Sequence, residues 1–145
     1  MSVLVDSHVI LDVLSEDPNW FDWFSATLER VGSAEALVIN PMVFGKVSVQ
    51  FERTEEVDLA LVAFERSEIP YEVAFLAAKC FLDYRRRGGA RSAPLPDFYI
   101  GAHALLAGMT LLTRDAARYR TYFPRPIVRI ATLLDTLARQ ALSRP

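Results

Sequence analysis

Short apolar runs that end in an acid limit most sharply what this chain can fold into. SVLVD covers residues 2–6, and MTLLTRD covers residues 109–115. Runs of that length, bounded by turn residues and helical patterns, read as buried strands rather than helices. ALVIN at 36–40 and RPIVRI at 125–130 read as two more strands. The segments between them carry helical spacing. Strands alternating with helices predict an α/β fold with a mostly parallel sheet.

The helical segments are marked by their ends. SHVILDVLSE turns helical directly after Asp6, and Asp17-Pro18 breaks it. NWFDWFSATLERV follows, with Gly32 as its stop. Asn40-Pro41 caps and starts a third helix through about Arg53. TEEVDLALVAFERS begins with acids, which suits a helix N-terminus, and EIPY is an extended link. VAFLAAKCFLDYRRRGG ends in basic residues and a glycine pair, which suits a helix C-terminus. ARSAP is a loop, LPDFYIGAHALLAG a helix closed by Gly108, AARYRTYF a short helix, and ATLLDTLARQALSR a terminal amphipathic helix.

Composition supports one domain over residues 1–145, because 52% hydrophobic residues suffice for a full core and argue against disorder. A net charge of −2 gives no global basic footprint, so any nucleic-acid contact must be local. The apolar runs fall short of the roughly 18 residues of a membrane span, and the N-terminal stretch, with Asp6 inside it, is no secretory signal. The single cysteine, Cys80, permits no intrachain disulfide and fits a cytoplasmic location.

The acids carry the chemistry. Asp6 ends one strand, Asp115 ends another, and Asp97 opens a helix just after Pro96. In open parallel sheets the ligand crevice lies beyond the carboxyl ends of the strands, so these three can converge. Thr113, two residues before Asp115, shares its face in a regular strand. Each acid taken alone also reads as a helix cap. Together they would repel one another unless a cation joined them, and oxygen-only ligation of that kind suits Mg²⁺ or Mn²⁺. His8 and His103 are isolated and read as structural, and no Cys/His cluster suits zinc.

The order LVDSHVILDVL, VINPMVFGKVS, LPDFYIGAHALLAG and LLTRDAARYRTYFP resembles PIN-domain proteins and, more narrowly, the VapC toxins of bacterial toxin–antitoxin pairs. The resemblance implies a three-layer α/β/α sandwich around a short parallel sheet. It implies metal-dependent RNA cleavage by four acids, of which Asp6, Asp97 and Asp115 are the first, third and fourth, with Thr113 and Ser7 in support. It also implies a VapB-type antitoxin partner and a homodimer. A metal held by those acids would supply a polarised phosphodiester oxygen and an acidified water for hydrolysis, in which the water's oxygen would replace the leaving oxygen on phosphorus.

The second acid is missing. The family pattern reads N-P-x-x-x-x-E-V-S, and Lys46 stands at the glutamate position here. A surface lysine is the plain reading of a helical lysine, but the flanking Asn40-Pro41 and Val47-Ser48 favour a place in the site. An ammonium there removes a ligand and is attracted to the three carboxylates by several kcal/mol, in order of magnitude, before desolvation. The expectation is therefore an endoribonuclease whose metal binding and activity are weakened by Lys46.

RNA grip would come from Arg85, Arg86, Arg87 and Arg91 before the Asp97 helix, and from Arg114, Arg118 and Arg120 near Asp115. A basic helix end is also explained by its dipole alone. Tyr99, Tyr119 and Tyr122 suit either base stacking or core packing. The competing expectation is a catalytically inert binding module that acts through its antitoxin, whose helix would lie along an apolar groove from NWFDWF and VDLALVAF.

Overall fold

The computed structural model describes residues 2–90 and 95–123, together with the backbone of 129–131. The elements run β1 (Ser2–Val5), α1 (Ser7–Leu14), α2 (Phe21–Ala34), β2 (Ala36–Ile39), α3 (Pro41–Ser48), α4 (Thr54–Ala60), β3 (Glu65–Arg66), α5 (Tyr71–Arg86), α6 (Pro96–Ala107), β4 (Thr110–Leu112), α7 (Ala116–Tyr122) and β5 (Arg129–Ala131). The strands form one sheet in the order β3-β2-β1-β4-β5. All four pairings are parallel. The α/β fold with a parallel sheet is as the sequence implies.

Strand β1 lies at the centre. Leu4 pairs with Val38 on one side and Leu111 on the other, and Val5 pairs with Leu112. Val3, Leu4, Val5, Leu111 and Leu112 are all buried, as expected for strands covered on both faces. From β1 the chain steps outward through β2 to β3, then returns past β1 to β4 and on to β5. Right-handed crossovers in opposite directions put α1–α4 on one face and α5–α7 on the other, a three-layer sandwich. The direction reverses between β1 and β4, and a crevice opens at such a switch point beyond the strands' carboxyl ends.

Local chemistry sets the boundaries. Asn40 caps α3 by accepting from the Val43 amide at 2.9 Å, and Pro41 takes the first helical position. Gly108 ends α6 with φ +65°, the left-handed conformation that glycine adopts without strain.

Four sequence expectations differ from the structure. Helix α2 passes through Gly32 and ends at Ala34. A side chain at Gly32 would meet Leu37 Cδ1 at 3.1 Å, so this glycine lets β2 approach the helix rather than stopping it. Helix α3 ends at Ser48, short of Arg53, and α4 ends at Ala60. The two-residue strand β3 follows it, unanticipated because Glu65 and Arg66 are both exposed and show no apolar alternation. The predicted terminal helix, most of RPIVRI and Arg91 lie outside the described residues.

Candidate active site

The three acids stand at the switch point. Asp6 follows β1 and its amide donates to Leu112 O at 2.9 Å, which fixes the ends of β1 and β4 together. Its side chain does cap α1, since Oδ1 accepts from the Ser7 amide at 2.7 Å. The other oxygen, Oδ2, faces the site and accepts from Thr113 Oγ1 at 2.9 Å and from the Tyr119 hydroxyl at 3.2 Å. Capping and site roles are thus divided between two oxygens of one carboxylate. Ser7 is buried and its hydroxyl lies 3.4 Å from Oδ1.

Asp97 is not an N-cap. It sits in the first turn of α6 behind Leu95 and Pro96, and its carboxylate is buried. Oδ1 accepts from Lys46 Nζ at 3.2 Å and from the Tyr119 hydroxyl at 3.4 Å. Oδ2 accepts from Arg118 Nη1 at 2.7 Å. Asp115 occupies the N-cap position of α7 but makes no side-chain cap. Its amide donates to Thr113 Oγ1 at 3.1 Å, and its carboxylate lies 3.6 Å from Arg118 Nε.

Thr113, Tyr119 and Arg118 therefore tie the three acids into one cluster. Lys46 reaches that cluster from the second turn of α3. Tyr119 is nearly fully buried, and burial first, then the charges of Asp6 and Asp97, hold its hydroxyl far above the usual phenol range. It remains a donor to the two carboxylates. Arg118 is held above the ordinary guanidinium range. Burial opposes its charge, and Asp97 and Asp115 outweigh that opposition.

Three carboxylates here face two cations, Lys46 and Arg118, and both oxygens of Asp97 are engaged. Among the described residues no group of three His, Cys, Asp or Glu side chains is arranged to hold a metal ion. The donors as arranged do not fit a divalent ion, because the oxygens that would ligate it already accept from an ammonium, a guanidinium and a phenol.

The arginines singled out by the sequence are not gathered at one place. Arg118 belongs to the acid cluster. Arg114 pairs with Asp12 at 2.7 Å and lies 5.7 Å from the Trp20 ring. Arg87 pairs with Asp83 one turn back at 3.0 Å, Arg85 donates to Gly89 O at 3.0 Å, and Arg86 is exposed on the same helix end. Tyr122 packs on Phe98 with ring centroids 4.5 Å apart, a core contact. Of the helices expected to line a partner groove, α2 packs on α1 and α4 on α3, and α1 packs on α3.

Asp12, beside the site, was not singled out from sequence, and Tyr119 was given a different role. Asp12 is buried, and burial, first, raises its carboxyl above the usual range despite Arg114. An acid inside the apolar VILDVL stretch was the available signal. Tyr119 was read from sequence as a stacking or core aromatic, and its hydroxyl instead donates to Asp6 and Asp97. His103, read as structural, is buried, with Nδ1 3.1 Å from Asn40 Nδ2 and Nε2 3.4 Å from Ser67 Oγ. Burial lowers its pKa.

A family model described as the PIN domain matches residues 3–124. No curated protein matches the chain. Among solved structures, VapBC2 from Rickettsia felis bound to a promoter DNA fragment is 16% identical over 91% of this chain and 98% of that one, with a TM-score of 0.68. VapBC-1 from nontypeable Haemophilus influenzae is 15% identical over 91% and 98%, with a TM-score of 0.67. A toxin–antitoxin complex from Klebsiella pneumoniae is 20% identical over 90% and 96%, with a TM-score of 0.62. At these identities the likeness is one of fold.

Proposed function

We propose, on the premise that this chain belongs to the PIN-domain family, that it is the toxin-type member of a toxin–antitoxin pair. Its scaffold is that of an endoribonuclease, and Lys46 holds its cleavage site shut. One observation carries this reading: Lys46 Nζ lies 3.2 Å from Asp97 Oδ1, at the position where the family pattern has an acid. The similar solved structures named above, all toxin–antitoxin assemblies, support a VapB-type antitoxin as partner, with a homodimer as the assembly.

Family nucleases cleave phosphodiester bonds with Mg²⁺ or Mn²⁺, which supplies a polarised water. The residues here do not fit that ion, so the chain as written performs no metal-dependent step. What its own residues do is neutralise and position. Lys46 and Arg118 neutralise Asp97. Thr113 and Ser7 fix the Asp6 carboxylate, and Tyr119 spaces Asp6 from Asp97. The arrangement is an acid cluster of the right composition for phosphodiester chemistry, with Lys46 in place of its fourth carboxylate.

The test is cleavage of total cellular RNA in Mg²⁺ or Mn²⁺ by the chain as written and by Lys46→Glu, with ends mapped. The expected result is intact RNA with the first and discrete fragments with the second. Equal cleavage by both would remove Lys46 as the block. Inertness of both would favour a binding module that acts only through its antitoxin.

A further inference from the structure

Lys46 is not the sole cation in the cluster. Arg118 projects from α7 and spans the gap to α6, with Nη1 2.7 Å from Asp97 Oδ2 and Nε 3.6 Å from Asp115 Oδ2. Lys46 occupies the other oxygen of Asp97. Replacing Lys46 by an acid therefore leaves Asp97 Oδ1 with the Tyr119 hydroxyl alone and does not touch Oδ2. The guanidinium still engages its remaining oxygen and still bridges to Asp115. Two acids on two helices, joined by one planar fork, form the cation position of the cluster.

The exposures add direction. The Arg118 side chain is 46% exposed, whereas that of Asp97 is 9% exposed. The acid is fixed in the protein, and the cation reaches it from the solvent side. The core face of α7 is made by Ala116 and Tyr119, and Arg118 is not part of it.

We propose that Arg118 is a built-in counter-ion gate, whose guanidinium fills the cation position between Asp97 and Asp115 and competes with any divalent ion for it. The inference rests on the reading of this cluster as a nuclease site and adds a second lock to the one at Lys46. Lys46 removes a ligand and supplies a charge. Arg118 removes no ligand. It masks two that are present.

The experiment is calorimetric titration with Mn²⁺ alone, on the full chain, for the protein as written, Lys46→Glu, Lys46→Glu/Arg118→Gln and Lys46→Glu/Arg118→Lys. Free Mn²⁺ is followed in parallel by its electron paramagnetic resonance signal, and thermal melts confirm that each variant is folded. The Gln double variant should bind Mn²⁺ about tenfold or more tightly than Lys46→Glu, because a full positive charge leaves the first few Å around the ion. The Lys double variant, which keeps the charge, should stay within about threefold of Lys46→Glu. Equal affinity of Lys46→Glu and its Gln double variant, with both cleaving RNA, overturns the gate and leaves the nuclease reading standing. Absence of binding by every variant overturns both.

Discussion

Thr113→Val isolates one hydroxyl at the junction of strand and site. Thr113 is fully buried at the carboxyl end of β4. Its Oγ1 donates to Asp6 Oδ2 at 2.9 Å and accepts from the Asp115 amide at 3.1 Å. Valine keeps the shape, so the change opens no cavity and removes only the polar atom. A hydrogen bond to a charged group contributes about 1.5–3 kcal/mol, and an orphaned amide costs about 1–3 kcal/mol. Two features pull the total toward the lower halves of those ranges. Asp6 keeps the Ser7 and Tyr119 donors, and water can reach the half-exposed Asp115. The expected loss is about 2.5–4 kcal/mol, a fall in Tm of roughly 8–12 °C for a chain of this size. Urea unfolding followed by circular dichroism measures it, with an unchanged m-value as the sign that only native stability moved. Tyr119→Phe is the internal comparison. Its single proton is shared between two oxygens at 3.2 and 3.4 Å, each with another donor. That variant should lose only about 1 kcal/mol. If Thr113→Val proves as stable as Tyr119→Phe, the hydroxyl does not hold Asp6 and the reasoning is wrong.

Three further outcomes are expected. Lys46→Ala should gain Mn²⁺ binding over the chain as written but less than Lys46→Glu, because it removes the ammonium without supplying an oxygen; calorimetry on the three forms checks the order. Burial lowers the pKa of His103 in the folded state, so its contribution to stability is complete above the ordinary histidine value of 6.5 and is lost as pH falls through the lowered one; urea midpoints from pH 7 down to pH 5 should drop more steeply for the wild type than for His103→Gln. Burial raises the pKa of Asp12 from 3.8, so its contribution is complete below that value and is lost as pH rises through the raised one; the stability of the wild type relative to Asp12→Asn should therefore be greatest in acid and shrink toward neutral pH, and a difference that grows instead would contradict the assignment.

The parts of the site that lie at element boundaries were legible in sequence, because boundaries have local signatures. Asp6 and Asp115 close apolar runs, Asp97 follows a helix-starting proline, and Asn40-Pro41 announces a cap. The position of Lys46 was legible through those same neighbours. Tyr119 and the pairing of Arg118 with Asp97 were not. Each depends on which face of the seven-residue helix α7 meets α6, and AARYRTYF, with arginines and tyrosines on several sides, does not choose a face. Strand β3 escaped for a different reason. It is two exposed charged residues whose extended form is set by pairing with Val38 and Ile39 rather than by its own composition. Gly32 was read as a stop because glycine is locally a helix breaker. Its close neighbour is the Leu37 side chain, which meets it only after the strand folds back.

The central place of β1 has a consequence for how the molecule is made. Of these strands β1 is made before the others, and β2 can pair with it, and β3 with β2, while β4 and β5 are still unsynthesised. Its other neighbour, β4, emerges more than a hundred residues later, since Val5 waits for Leu112. Contacts this distant in sequence form slowly and late. Asp6 is present from the outset, but Asp97, Thr113 and Asp115 join it only when the returning half of the sheet docks. A nascent chain therefore carries no assembled acid cluster during most of its synthesis, and the half-sheet exposes the β1 edge to any strand that arrives before β4.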